Sequence, residues 1–348
     1  MTNEEEADAK MKAIKFEEPW KVQCVEIPMP QRGEGEALVK VKSASICGSD
    51  IGAFRGTNPL VSYPRIIGHE VAGEIIEISP KNKKGLKVGD KVVLDPYLYC
   101  GHCYPCSIGR TNCCTDLKVL GVHVEGAMAE YVTHPENMLW KLPDDMAWDV
   151  ASVAEPLTIA LHGMHRGGLA ASEHVAIIGA GPIGILAAMS ALAYRSIPIV
   201  IDLVDERLEM ARNLGVPFTI NPSKENAEEK ILAYTNGRKA ELVMECSGAN
   251  AAVRSTLDYV SNAGRITLTG WPKKETPIPT DLITRKEIDL RGARTSAGEF
   301  EEAISLIHSG AVDVKKIITC EVPIDQAPDM IRAIEKDPGN YMKVTICF

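Results

Sequence analysis

Four cysteines crowd one short stretch, YCGHCYPCSIGRTNCC, where Cys100, Cys103, Cys106 and Cys114 are spaced C-x2-C-x2-C-x7-C. Gly101, Pro105 and Gly109 let this loop fold back, so four sulfurs can surround one ion. Zinc favours such a closed tetrahedral thiolate shell; with no position left for water, it braces structure instead of doing chemistry. Cys113 adjoins the fourth ligand and competes with Cys114 for that place, whereas Cys24, Cys320 and Cys347 read as small buried apolar residues. A second set of donors is dispersed: Cys47 in ICGSD, His69 and Glu70 in IGHE, and Glu155 in AEP. A lone His or Cys is more often a core or surface residue than a ligand. Together, thiolate, imidazole and carboxylate suit a zinc that keeps one position free, able to take an alcohol oxygen and lower its pKa. Asp50 is placed to orient the imidazole, and Ser49, beside Cys47, to relay the alcohol proton outward; the plainer role of Ser49 is a turn hydroxyl.

Gly179, Ala180, Gly181, Pro182, Ile183 and Gly184 spell G-x-G-x-x-G directly after the apolar run HVAII and directly before ILAAMSALA. That context turns a weak motif into a strong one. The first glycine makes the tight turn, the second lets backbone approach a pyrophosphate, and the third lets helix and strand pack closely. Pro182 and Ile183 begin the helix, whose free N–H groups and positive dipole end face the phosphates. Asp202 follows Gly179 by 23 residues, at the end of the next strand, where it accepts hydrogen bonds from an adenosine ribose diol. NAD is expected over NADP, because a 2′-phosphate would meet this carboxylate and Leu203 and Val204 supply no cation. Arg207 is the one basic group nearby, either a cofactor contact or a solvated residue of the first helical turn.

These groups need two kinds of scaffold. From Ala37 to Gly121 short strand patterns (39–42, 71–78 and 91–94) broken by turns predict a β-rich half. Past Ser172, apolar runs at 174–178, 197–202, 241–246 and 264–270 alternate with helical patterns near 183–194, 206–214, 225–235 and 250–261. This is the signature of a doubly wound parallel sheet, an α/β fold. A helix from Glu299 to Ser309 and a strand at 343–348 end the chain, a tail able to return to the first half. With 348 residues, two or three domains are expected, and 45% hydrophobic with 24% charged residues is ordinary globular usage. The formal charge of −9 argues against nucleic acid as a partner. Apolar stretches fall far short of the roughly 20 residues that span a bilayer, so no membrane helix is expected. The acidic first ten residues, MTNEEEADAK, read as a solvated leader rather than a signal peptide, which places the chain in the cytoplasm.

An open zinc site ahead of an NAD fold, with a four-cysteine lobe between, resembles the zinc-dependent medium-chain alcohol and polyol dehydrogenases. The carriers are ICGSD (46–50), GHE (68–70), the cysteine lobe, EPL (155–157), GAGPIG (179–184) and ECSG (245–248), within a match from about Met11 to Phe348. The resemblance implies a GroES-like catalytic domain (1–160), a Rossmann domain (161–292) and a C-terminal segment completing the catalytic domain (293–348). It also implies one catalytic and one structural zinc, NAD contacts at Ser247 and Gly248, and a homodimer or tetramer. Glu155, standing where typical alcohol dehydrogenases place a second cysteine, looks like the polyol branch, with Cys47, His69 and Glu70 inner-shell and Glu155 a direct or water-bridged fourth. The stretches at 62–70, 95–114 and 120–126 and GARTS (292–296) are closer to bacterial sugar-acid 5-dehydrogenases acting on L-gulonate or L-galactonate type hexonates. In that comparison Arg294 and Arg55 are candidates to meet a substrate carboxylate, and Met128 departs from an aromatic residue usual in the family. The expected reaction is NAD-linked oxidation of a secondary hydroxyl, with zinc as Lewis acid and Ser49 as proton relay. Rival readings are a sorbitol-type neutral-polyol dehydrogenase, an L-threonine 3-dehydrogenase and, outside enzymes, a metal-dependent redox sensor.

Overall fold

The computed structural model describes residues 9–348; the first eight residues of the acidic leader lie outside them. The chain forms two compact units. The first comprises residues to Glu155 with Phe300–His308 and Val314–Phe348; the second comprises Pro156–Glu299 and Ser309–Asp313. The divisions thus fall at 155/156 and 299/300, beside the expected 160 and 292.

The first unit is β-rich. Its main sheet carries the strands Leu139–Lys141, Lys91–Leu94, Glu70–Glu77, Glu36–Ser45, Lys343–Cys347 and Ile318–Pro323 in that order. A separate hairpin, Lys10–Glu18 with Lys21–Pro28, precedes them, and its alternating pattern was not read from the sequence. The inward faces bury Ile14, Phe16, Ile75, Leu94, Met128 and Leu139 in one core. Met128 is a core residue here: it is fully buried and its carbonyl accepts the N–H of Ile14 at 2.9 Å. The tail returns to this sheet, where Thr345 pairs with Ser45 and Cys347 with Ser43.

The second unit is a six-stranded parallel sheet in the order Phe218–Ile220, Ile197–Ile201, His174–Ile178, Ala240–Glu245, Val260–Leu268 and Asp289–Gly292. The central strands are continuous apolar runs because helices cover both faces; His174–Ile178 is buried throughout. The two edge strands escaped the sequence pattern because they are short and only half apolar. Helices Pro182–Ala193, Asp205–Asn213, Ala227–Tyr234 and Asn250–Tyr259 connect the strands. Among the described residues no helix is long and apolar enough to cross a membrane.

Candidate metal centres and dinucleotide loop

Sheet register assembles the dispersed donors. Ser45 pairs with Glu70 across neighbouring antiparallel strands, so Cys47, two residues past the end of one strand, comes beside His69 and Glu70 at the start of the other. Donor atoms of Cys47, His69 and Glu70 lie within 4.8 Å of one another. Cys47 also opens the helix Gly48–Phe54, and its N–H donates to Asp50 Oδ2 at 2.9 Å, which fixes the turn. Ser49 Oγ lies 3.4 Å from His69 Nε2. Asp50 Oδ1 stands 3.8 Å from His69 Nδ1, a charge neighbour too distant for a hydrogen bond.

The carboxylates at this centre are not equivalent. Both oxygens of Glu70 accept from the Lys343 ammonium, at 2.8 and 2.7 Å, and both residues are buried. Lys343 opens the last strand, so the returning tail delivers the cation; a lysine heading an apolar strand was the only signal for it in the sequence. Glu155, fully buried in the helix Ala154–Gly167, instead accepts a hydrogen bond from the Tyr97 hydroxyl. Burial, with the charge of Glu70 adding, pushes the Glu155 carboxyl up to about 7, and burial also raises Asp50. Although burial opposes it, His69 is held well above its usual range by Cys47 and Asp50. Acid groups crowded out of water at this price in solvation call for positive charge. A divalent cation on Cys47, His69 and Glu70 answers that need with ligand types zinc accepts.

The four-cysteine loop closes on itself. Sγ atoms of Cys100, Cys103, Cys106 and Cys114 lie mutually within 4.8 Å, and Cys113 falls outside the group. A tetrahedron of ~2.3 Å zinc–sulfur bonds has edges of about 3.8 Å; Cys103 stands 3.4 Å from Cys106 and 3.8 Å from Cys114. Backbone N–H groups of Thr115 and Cys106 draw the Cys103 thiol down to about 6, toward the thiolate that a metal requires. Cys103→Ser is expected to lower bound zinc from two ions to one per chain and the Tm by about 5–10 °C, at ~2–4 °C per kcal/mol for a unit of this size. Elemental analysis with calorimetry checks this, and an unchanged Tm in a protein lacking that zinc would remove the structural role.

In the second unit, the glycine turn joins His174–Ile178 to Pro182–Ala193 as the motif requires. Gly179 has φ +102°, and a Cβ on Gly184 would stand 1.7 Å from the Gly179 carbonyl oxygen. Around Gly181 a Cβ would meet nothing within 4 Å, so that space is open to a phosphate. Asp202 Oδ2 accepts from Ala180 N at 2.6 Å and Oδ1 from Val204 N at 2.9 Å. Each oxygen keeps a lone pair for a ribose hydroxyl. Arg207 sits in the first turn of Asp205–Asn213, half-buried. The N–H groups of Ser247 and Gly248 are already taken by the buried Glu245 carboxylate, whose Oε1 lies 2.8 and 2.9 Å away. Arg294 packs over the Trp271 ring, 5.9 Å from its centroid. Arg55 is engaged in the first unit by Glu335, through Oε1 and the carbonyl, both at 3.2 Å.

A parallel sheet with a phosphate-binding glycine turn, and a group of one thiol, one imidazole and one carboxylate gathered within 4.8 Å, define a metal- and nucleotide-dependent oxidoreductase. The family models agree: an alcohol dehydrogenase GroES-like domain matches residues 33–144 and a zinc-binding dehydrogenase domain matches 182–309. The chain belongs to the zinc-binding alcohol dehydrogenases, oxidoreductases of CH–OH donors that use zinc and NAD. It is 50% identical to an uncharacterized zinc-type alcohol dehydrogenase-like protein of Haemophilus influenzae, over 97% of this chain and 99% of the relative. It is 36% identical to L-galactonate-5-dehydrogenase of Escherichia coli, over 86% and 87%. An L-threonine 3-dehydrogenase of Bacillus velezensis stands as near, at 37% over 91% and 93%. The solved short chain alcohol dehydrogenase rspB of E. coli CFT073, complexed with NADH, superposes with a TM-score of 0.92 at 35% identity, covering 98% of this chain and 100% of that one.

Proposed function

We propose that the protein oxidises a secondary hydroxyl of a sugar acid, a hexonate of the L-gulonate or L-galactonate type, with NAD. The observation that carries this reading is Arg294 set over Trp271 at the ends of neighbouring parallel strands. A guanidinium is the cation whose planar fork matches a carboxylate bidentately. Thr295, next in the chain, has φ +47°, a conformation a β-branched residue rarely adopts, as expected where function constrains the backbone. The likeness to L-galactonate-5-dehydrogenase supports the same reading.

Cys47, His69 and Glu70 would hold the catalytic zinc, with Glu155 beside it, and the four-cysteine loop would hold the structural one. A zinc ion held there would supply Lewis acidity toward the hydroxyl, and NAD bound at the glycine turn would supply the hydride acceptor. Ser49 Oγ takes the hydroxyl proton and passes it outward, its position set by His69 Nε2. Lys343 fixes the Glu70 carboxylate, and Asp202 receives the ribose diol. The family resemblance also carries the proposal of a cytoplasmic homodimer or tetramer.

A second reading, a 3-hydroxy amino acid, shares the carboxylate and is supported by the threonine dehydrogenase relative. Hexonates, hexitols and threonine offered with NAD, read by NADH absorbance, separate the readings; a preference for hexitols would overturn the sugar acid. Arg294→Ala is expected to lower kcat/KM for hexonates about 10- to 100-fold, the ~1.5–3 kcal/mol of a hydrogen bond to a charged group, and to spare hexitols. Equal losses for both would assign Arg294 to cofactor or fold.

A further inference from the structure

Two histidines of the helix Ala154–Gly167 meet one carboxylate that the chemistry above does not use. His162 Nδ1 lies 2.8 Å and His165 Nδ1 3.5 Å from the same Glu299 oxygen, Oε1. His162 and Glu299 are buried, while His165 is exposed. A carboxylate only accepts, so His162 Nδ1 carries a proton and donates, in the neutral imidazole as in the charged one. Although burial opposes it, the hydrogen bonds from His162 and His165 hold the Glu299 carboxyl down at about 2, so it stays ionised throughout the neutral range. The other oxygen of Glu299 turns back along the chain and accepts the Ala297 N–H at 2.6 Å.

The same helix ties the other end of this segment. Arg166 Nε donates to the Gly292 carbonyl at 3.2 Å, and Arg291 Nη1 to the Arg166 carbonyl at 2.9 Å. The Ala293 N–H donates to the Leu268 carbonyl at 2.9 Å. Between the two ties stand Arg294, over the Trp271 ring, and Thr295 at φ +47°. A β-branched residue stays in the left-handed region only where its surroundings hold it there. Gly298, at φ +104°, turns the chain just before Glu299 and gives it freedom to open once that hold is lost. We infer that His162 is a positioning residue for Arg294: through Glu299 and the Ala297 N–H it fixes the segment 292–299 and so keeps the guanidinium over Trp271. This rests on the reading of Arg294 as the partner of the substrate carboxylate. His165, farther from Glu299 and exposed, adds little to the hold.

The whole protein is followed by amide hydrogen exchange over 293–298 and by kcat/KM for hexonates and hexitols. In His162→Leu, exchange over this segment is expected to rise about 10- to 100-fold, the scale of losing a hydrogen bond to a charged group. The preference for hexonates over hexitols is expected to fall about 10-fold, and adding His162→Leu to Arg294→Ala to cost hexonates nothing further. His162→Asn, whose amide nitrogen stands near the place of Nδ1, is expected to restore both protection and preference, which a packing role for the ring would not produce. His162→Leu/Glu299→Leu removes the buried charge with its donor, so its Tm should hold while exchange stays fast, even where His162→Leu alone folds poorly. Unchanged exchange in His162→Leu, none restored in His162→Asn, protection regained in the double variant, or a further loss on top of Arg294→Ala would overturn the inference. A preference of the unaltered protein for hexitols would fall on the sugar-acid reading alone, and exchange over 293–298 would still decide whether His162 holds the segment.

Discussion

Gly184→Ala is expected to abolish NAD binding and destabilise the second unit. The new Cβ would stand 1.7 Å from the Gly179 oxygen and 2.9 Å from its carbonyl carbon. Both obstacles are backbone, so no rotamer change relieves the overlap. Gly179 itself holds φ +102°, which leaves the turn little freedom to yield without leaving the left-handed region. The strand end and the helix start must separate, and the N–H groups aimed at the pyrophosphate move with them. A loss of about 3 kcal/mol or more in stability is expected, the upper range for overpacking, with NAD affinity down at least about 100-fold. Gly181→Ala is the contrast: its Cβ meets nothing in the free protein, so the Tm should hold while NAD weakens. Calorimetry and NAD titration read both. A Gly184→Ala protein with unaltered Tm and NAD affinity would show that the turn is not the cofactor's seat.

Cys47→Ser is expected to lower kcat by about 1000-fold or more, ~4 kcal/mol, because a serine hydroxyl does not ionise into a zinc ligand at neutral pH and the Lewis acid is lost with the metal. The fold should survive. Cys47 opens its helix through backbone groups, and its N–H on Asp50 is unchanged by the substitution. Bound zinc should fall from two ions to one while the four-cysteine ion stays, and the Tm should move by less than it does in Cys103→Ser. Retained turnover in Cys47→Ser would remove this residue from the metal centre.

The doubly wound unit was legible because its evidence is local. Each central strand is an apolar run bounded by turn residues, and the strand at 174–178 is recovered to the residue. The helices from 183 to 261 are recovered to within about two residues, the ordinary uncertainty of helix ends. The edge strands Phe218–Ile220 and Asp289–Gly292 were illegible because short, half-exposed strands lack a clear period. The helix Ala154–Gly167, which carries Glu155, was likewise not read from its sequence.

By itself the sequence determined the closed zinc loop and the dinucleotide turn. In both, every essential group lies within a few residues of the next, so spacing, glycine and proline dictate the geometry before any other part of the chain is in place. It also named Cys47, His69, Glu70 and Glu155, but residue types alone gave them no relative positions. Only the tertiary structure decided that Ser45 stands opposite Glu70 and Thr345 opposite Ser45, the register that gathers three donors and sets Lys343 on Glu70. It alone showed Glu155 engaged by Tyr97, 58 residues earlier, and Arg55 engaged by Glu335, 280 residues later. Such pairings depend on long-range strand register, where a slip of one residue turns every side chain to the opposite face of the sheet, and no short stretch of sequence contains that information.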